Sequence, residues 1–394
     1  MPLDNTQNDN HFSAHIKGGE NVLEKLLLEV QDRRAKKEDY IAPTSGLRHI
    51  TSEGGSSRVV AEGSHGSPTT ILAVNPVASN QIAQKAGLDV RTADRVRSEY
   101  PQQYDGLIQA IWEKEDKPVM LRTFSDGGSS FDETGTLRAV LSDKYKTFDN
   151  EDLAEATIRP ILDSPAKWEA VRASITDQKL SLQFKSLAIT GEGAGVGDLM
   201  AHGLGVSNSE TGHGSVSVYQ IAWTLACLNG MQTQNKSRSA HLTSSRSDGD
   251  TWSLLTDKSK DLDNQALKSK LTDITKAYTS EETFLDTLEK FKQAGQNELG
   301  AGVTPQMAVD RLSGILKLSK NDNASVLDGL VATVSQAGYA GRPVTQATLA
   351  NAVTAVQHTS SLDSVDDWQA LGSKVLDLPA NQWRAVANPV AVAV

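Results

Sequence analysis

Apolar residues recur along this chain with two different periods, and the change of period divides it. Val22, Leu23, Leu26, Leu27 and Val30 fall at helical spacing, and the charged run Asp32 to Asp39 marks the solvated end of that helix. Val77 to Ala86 and Thr92 to Trp112 predict further helices. The second is expected to break before Pro101, because the residue ahead of a proline is steered out of the helical region. The period then shifts toward two. KPVMLRTF (117–124), TLRAVLS (136–142) and KLSLQFKSLAIT (179–190) read as strands, and Leu204 to Ser207 and Ser215 to Val218 as two more. The first two strands are joined through Ser125-Asp126-Gly127-Gly128-Ser129-Ser130 and beyond, too long for a two-residue hairpin turn. Asp149 opens a helix running to Leu162, with Asp149, Glu151 and Asp152 in its first turn, where the helix dipole favours anions. Gln220 to Leu228, apolar and without alternation, predicts a buried helix.

Beyond residue 260 the helical period returns. Phe284, Leu285, Leu288 and Phe291 form one stripe, Val326, Leu327, Leu330, Val331 and Val334 another, and Leu349, Val353 and Val356 a third. Thr304-Pro305 reads as a cap followed by a first-turn proline. The expected fold class is therefore α+β, a mostly antiparallel sheet with flanking helices and a C-terminal helical region. Residues 1–70 are expected to hold a mobile N-terminal arm, a short helix and a Gly/Ser linker (SEGGSS, EGSHGSP). Residues 71–255 make the α+β core and 256–394 the helical region. The closing NPVAVAV either docks on a neighbour or frays.

Composition narrows the function classes. The 394 residues carry a formal net charge of -10, so a uniformly attractive surface for phosphate backbones is excluded and any nucleic-acid site must be a local basic patch. A single cysteine, Cys227, excludes an internal disulfide framework and fits a reducing cytoplasm. No run of about 18 apolar residues is present, and MPLDNTQNDNHFSAH lacks the layout of a signal peptide, so a cytoplasmic location is expected.

The motifs declare no reaction. Gly191 to Gly197 (GEGAGVG) resembles a phosphate loop only in composition. Asp198 follows where a Walker loop needs Lys and Ser/Thr, and the G-x-G-x-x-G spacing is missing. Cys227, in TLACLNG, reads as core. Ser142 and Lys144 could share a strand face, but nothing announces an oxyanion site beside them. Asp198, His202, Glu210 and His213 are residue types that bind metals, yet their spacing fits no helical ligand pair. They read more simply as hydrogen-bonded turn residues. No resident cofactor is implied.

The charge pattern is more informative. Between Glu210 and Asp248 no acidic residue occurs, whereas Lys236, Arg238, His241 and Arg246 do, among hydrogen-bond donors suited to phosphate. Arg122, Arg138, Lys144, Tyr145 and Lys146 form a second set, in which two strands would gather cations beside an aromatic able to stack on a base. The polar turn Asn208, Ser209, Glu210, Thr211, Gly212 and His213 would shape the groove.

NQIAQKAGLDVRTADRV (80–96), VMLRTF (119–124), LRAVLSDKYKTFDNEDL (137–153), GVSNSETGHGSVSV (205–218), CLNGM (227–231) and TLANAVTAVQH (348–358) together resemble the phage and plasmid family called domain of unknown function 932. The resemblance spans roughly residues 75–385, and RAVLSDKY and NSETG are its specific blocks. The chain departs at Gly46 to Ile50, where a tryptophan-histidine-glycine type motif is usual. What the resemblance implies is a mobile-element protein in a bacterial cytoplasm with no settled enzymatic role. The leading expectation is a non-catalytic protein that binds single-stranded nucleic acid, an annealing or recombination accessory acting as a homo-oligomer. Two alternatives are a metal-dependent hydrolase or transferase using Asp198, His202, Glu210 and His213, and an antagonist of a host protein acting through its C-terminal helices.

Overall fold

The computed structural model describes residues 14–17, 22–61, 69–125, 134–194, 198–225, 229–239, 255–336 and 339–388, with the backbone alone for 14–17, 233–239 and 283. Outside these lie residues 1–13 and 18–21 of the expected arm, the Gly/Ser stretch 62–68 and most of the loop after Ser125. Residues 195–197 of the glycine run, Cys227, His241, Arg246 and the closing 389–394 are also outside them.

Two six-stranded sheets organise the fold, and the α+β expectation holds. The first sheet is antiparallel throughout, in the order β1 (Ala14–Lys17), β8 (Trp168–Ile175), β9 (Leu180–Glu192), β10 (Leu199–Asn208), β11 (Val216–Thr224), β12 (Asn229–Ser239). The second runs β2 (Lys37–Pro43), β6 (Pro118–Phe124), β7 (Gly135–Ser142), β5 (Thr70–Val74), β4 (Ser57–Ala61), β3 (Leu47–Thr51), with β5 and β7 parallel and every other pair antiparallel.

Helices cover the faces that alternation leaves apolar. In the second sheet Leu47, Val59, Leu72, Leu121, Leu137 and Val140 pack against α2 (Pro76–Lys85), α3 (Val90–Glu99) and α4 (Pro101–Glu115), through Ile82, Ala93, Tyr104, Ile108 and Trp112. Asn75 caps α2 and Asp89 caps α3, while Pro101 opens α4 where its missing N–H costs nothing. One face of the first sheet, with Ala173, Leu182, Phe184, Leu204, Val206 and Val218, meets α1 (Val22–Lys36), α5 (Asn150–Leu162) and α6 (Asp257–Tyr278).

The opposite face meets the C-terminal helices α7 (Glu281–Gln296), α8 (Pro305–Leu316), α9 (Lys320–Val334), α10 (Gln346–Ala355), α11 (Val365–Leu376) and α12 (Ala380–Ala387). That contact is polar at its centre. Asp366 on α11 accepts hydrogen bonds from Tyr219 Oη (2.9 Å), Ser181 Oγ (3.1 Å), Gln183 Nε2 (3.1 Å) and Lys179 Nζ (3.1 Å).

Three expectations are corrected. Gln220 to Thr224 belongs to strand β11, not to a helix. Every residue of β11 is buried, so both faces are covered and the alternation that marks a half-exposed strand is erased. The second correction concerns the expected linker. Its first glycines form the turn of the β3–β4 hairpin, closed by Ser52 N donating to Ser56 O (2.9 Å), with Gly55 at φ 80°. Of the charged run, Asp32 to Lys36 end α1 as expected, whereas Lys37 to Asp39 open β2, a strand at the sheet's edge.

Candidate nucleic-acid interface

Arg122 and Arg138, expected on an open sheet surface, are not on one. Arg122, on β6, is fully buried. Its Nη2 lies 2.6 Å from Asp149 Oδ1 and 2.8 Å from Asp39 Oδ2, and its Nη1 donates to the backbone carbonyl of Glu210 at 3.0 Å. Arg138, on β7, is buried as well. It donates to Glu210 Oε2 at 2.6 Å and its guanidinium lies 4.0 Å over the Phe124 ring. Tyr145 is buried and donates its hydroxyl to Ser209 O (3.0 Å), so it cannot stack on a base. Lys146 pairs with Asp263. Lys144 is half-buried at the rim of a cavity, and Lys236 and Arg238 lie on β12, with their side chains outside the described residues.

What the NSETG block does is join the two sheets. It forms the β10–β11 turn, and each of its residues is anchored. Asn208 Nδ2 donates to Phe148 O (2.8 Å) and Asn150 Oδ1 (3.0 Å); Ser209 Oγ and Thr211 Oγ1 donate to Gln178 O (2.5 Å) and Asp177 O (2.8 Å). Gly212 takes φ 82°, a left-handed conformation that favours glycine, and a Cβ there would come within 2.9 Å of Leu141 Cδ2. Gln81 clamps the turn to the second sheet, donating to Thr211 O (2.7 Å) while its own carbonyl accepts from Val140 N (2.8 Å). His213 stands exposed at the end of the turn.

Glu210 is the centre of this junction. Its carboxylate accepts from Arg138, from Lys37 Nζ (3.1 Å) and from the backbone N–H of Asn150 (2.9 Å). Lys37 in turn lies 2.8 Å from Asp149. Burial alone would raise the Glu210 titration, but Arg138, then Lys37 and Arg122, overcome it and hold the carboxyl well below the usual carboxylate range. Asp149 is also depressed; burial opposes the shift and Arg122 dominates it. Sequence reasoning found Arg122, Arg138 and Glu210 but not their partners Lys37, Asp39, Asp149 and Asn150. No spacing signals an ion pair that closes across 173 residues.

The metal-site alternative is contradicted. Asp198 is buried with Oδ2 accepting from Tyr339 Oη (2.8 Å), and Glu210 is saturated by its cations. His202 is enclosed between Trp168 and Phe284, both ring centroids 5.3 Å away. Among the described residues no three His, Cys, Asp or Glu side chains come together as metal ligands.

His202 instead has a stability role. Neither ring nitrogen has a hydrogen-bond partner, and burial pushes its titration down to about 4. The Tyr278 backbone opposes that shift from outside hydrogen-bonding geometry. A histidine depressed from about 6.5 stabilises the fold fully above pH 6.5 and loses that stability as pH falls toward 4, by up to about 3 kcal/mol. Urea unfolding of His202→Phe between pH 7 and 4 is expected to show a shallower loss than wild type. Identical slopes would contradict this.

Compared with known protein families, curated proteins and solved structures, this chain matches none. The kinship with domain of unknown function 932 therefore stays an expectation from the quoted residues. No helix among the described residues is long and apolar enough to cross a membrane.

Proposed function

We propose that the chain is a non-catalytic binding protein for single-stranded nucleic acid and that the strand runs along β12. One observation carries this reading. Among the described residues β12 is the outermost strand of the first sheet, eleven residues long, and it contains Lys236 and Arg238 but no acidic residue. In a molecule of net charge -10 that edge is a local cationic track. In the ladder Lys236 lies opposite Tyr219 and Arg238 opposite Ser217. Outward backbone N–H groups of this edge strand would add neutral donors to phosphate. Arg122 and Arg138, consumed inside the molecule, have no part in it.

The test is fluorescence anisotropy with a labelled single-stranded oligonucleotide across 50 to 200 mM salt, a range over which phosphate contacts lose affinity steeply. Binding is expected to weaken with salt. Lys236→Ala/Arg238→Ala should lower the slope of log affinity against log salt by about 1.4, two single-strand phosphate contacts. Absent or salt-independent binding, or an unchanged slope in the double variant, rejects the reading.

A further inference from the structure

A separate cavity of about 450 Å³ opens at one end of the second sheet, between that sheet and its helices. Its walls are Leu47, Ile82, Ile111, Trp112, Val119 and Val140, an apolar space large enough for a ring system or a medium-length chain. Three amines, Lys85, Lys117 and Lys144, and two carboxylates, Glu115 and Asp143, stand at its rim. Lys117 pairs with Glu115 at 2.6 Å. The C-terminal ends of α2 and α4, which carry Lys85 and Glu115, add partial negative charge. The rim is thus close to neutral, which suits one anionic head and not a polyanion.

We propose that this cavity binds a compact apolar carboxylate, its body against Trp112, Ile82 and Val140 and its head at Lys85. Lys85 is an exposed residue that lines the cavity. Partial burial and then Lys117 lower its titration, with Asp143 opposing. A bound carboxylate would offset both. Affinity should therefore fall as pH rises through the lowered titration of Lys85. The site is independent of the β12 reading, since it shares no residue with that strand.

Calorimetric titration of the full chain with octanoate and 2-naphthoate at pH 7, and with octanamide as the uncharged control, tests the proposal. A methyl-labelled isoleucine spectrum reports the location. Saturable carboxylate binding is expected, at least about tenfold tighter than the amide, with the Ile82 and Ile111 methyls shifting. Lys85→Ala should remove the preference for the carboxylate while leaving the spectrum of the free protein otherwise folded. Ile111→Trp should block both ligands. No saturable binding at millimolar ligand, an amide that binds equally well, shifts elsewhere, or an unchanged preference in Lys85→Ala overturns the proposal. So does a nucleoside monophosphate binding in the carboxylates' place.

Discussion

Arg122→Ala is expected to destabilise the protein by about 3–5 kcal/mol, the range for breaking a buried ion pair by removing one partner. The guanidinium is fully buried and joins β6 to Asp39 on β2, to Asp149 at the start of α5 and to the Glu210 carbonyl in the β10–β11 turn. Its loss leaves Asp149 with Lys37 as its remaining paired cation and takes a donor from the buried Glu210 carbonyl, while Asp39, an exposed residue, turns to water. The deficit should grow as pH rises. The depressed titration of Asp149 depends first on Arg122 once burial is overcome, so without Arg122 its ionisation becomes costly above the ordinary carboxylate range. Urea unfolding followed by circular dichroism at pH 5 and pH 8 measures both effects. A loss below about 1 kcal/mol at both values would place Arg122 in water.

The second large effect is expected at the other interface of the first sheet. Asp366→Ala removes the acceptor shared by Tyr219, Ser181, Gln183 and Lys179, and three of those four residues are themselves buried. Gln183 keeps Gln369 Oε1 as an acceptor (2.9 Å). The other two buried donors each cost about 1–3 kcal/mol when they lose this acceptor, so a total of about 2 kcal/mol or more is expected. Because Asp366 seats α11 on the sheet, the loss should appear first as exposure of the C-terminal helices. Hydrogen exchange in residues 346–387 should accelerate more than in β9 and β10. Uniform acceleration, or none, would show that the helices do not depend on this contact.

Most helices and the apolar strand runs were legible in the sequence, and the second half of β11 and the strands β2 to β4 were not. The helices at 22–36, 76–85, 90–99, 101–115 and 150–162 follow from apolar stripes, capping residues and the break at Pro101. Strands β6, β7, β9 and β10 were readable from short apolar and β-branched runs, although β7 and β10 are buried at nearly every position. The start of β11 was read as a strand, but its second half, apolar and buried on both sides, read as a helix, and β2 to β4 were hidden by charge and glycine, which at an edge and in a hairpin turn are compatible with pairing. The candidate site was legible as residues and not as roles. Arg122, Arg138, Tyr145 and Glu210 are clustered, but spacing along the chain cannot say whether a cation on a strand meets water or a carboxylate brought from 72 residues away. Here the buried turn supplies the carboxylate, and phosphate is excluded from those arginines.

The most direct test of that conclusion is a double-mutant cycle on Arg138 and Glu210, with Arg138→Met, Glu210→Met and the pair, each measured by urea unfolding. A coupling energy of about 2 kcal/mol or more is predicted, with the pair more stable than either single variant. Additive losses, each below about 0.5 kcal/mol, would place both side chains in solvent and contradict the junction.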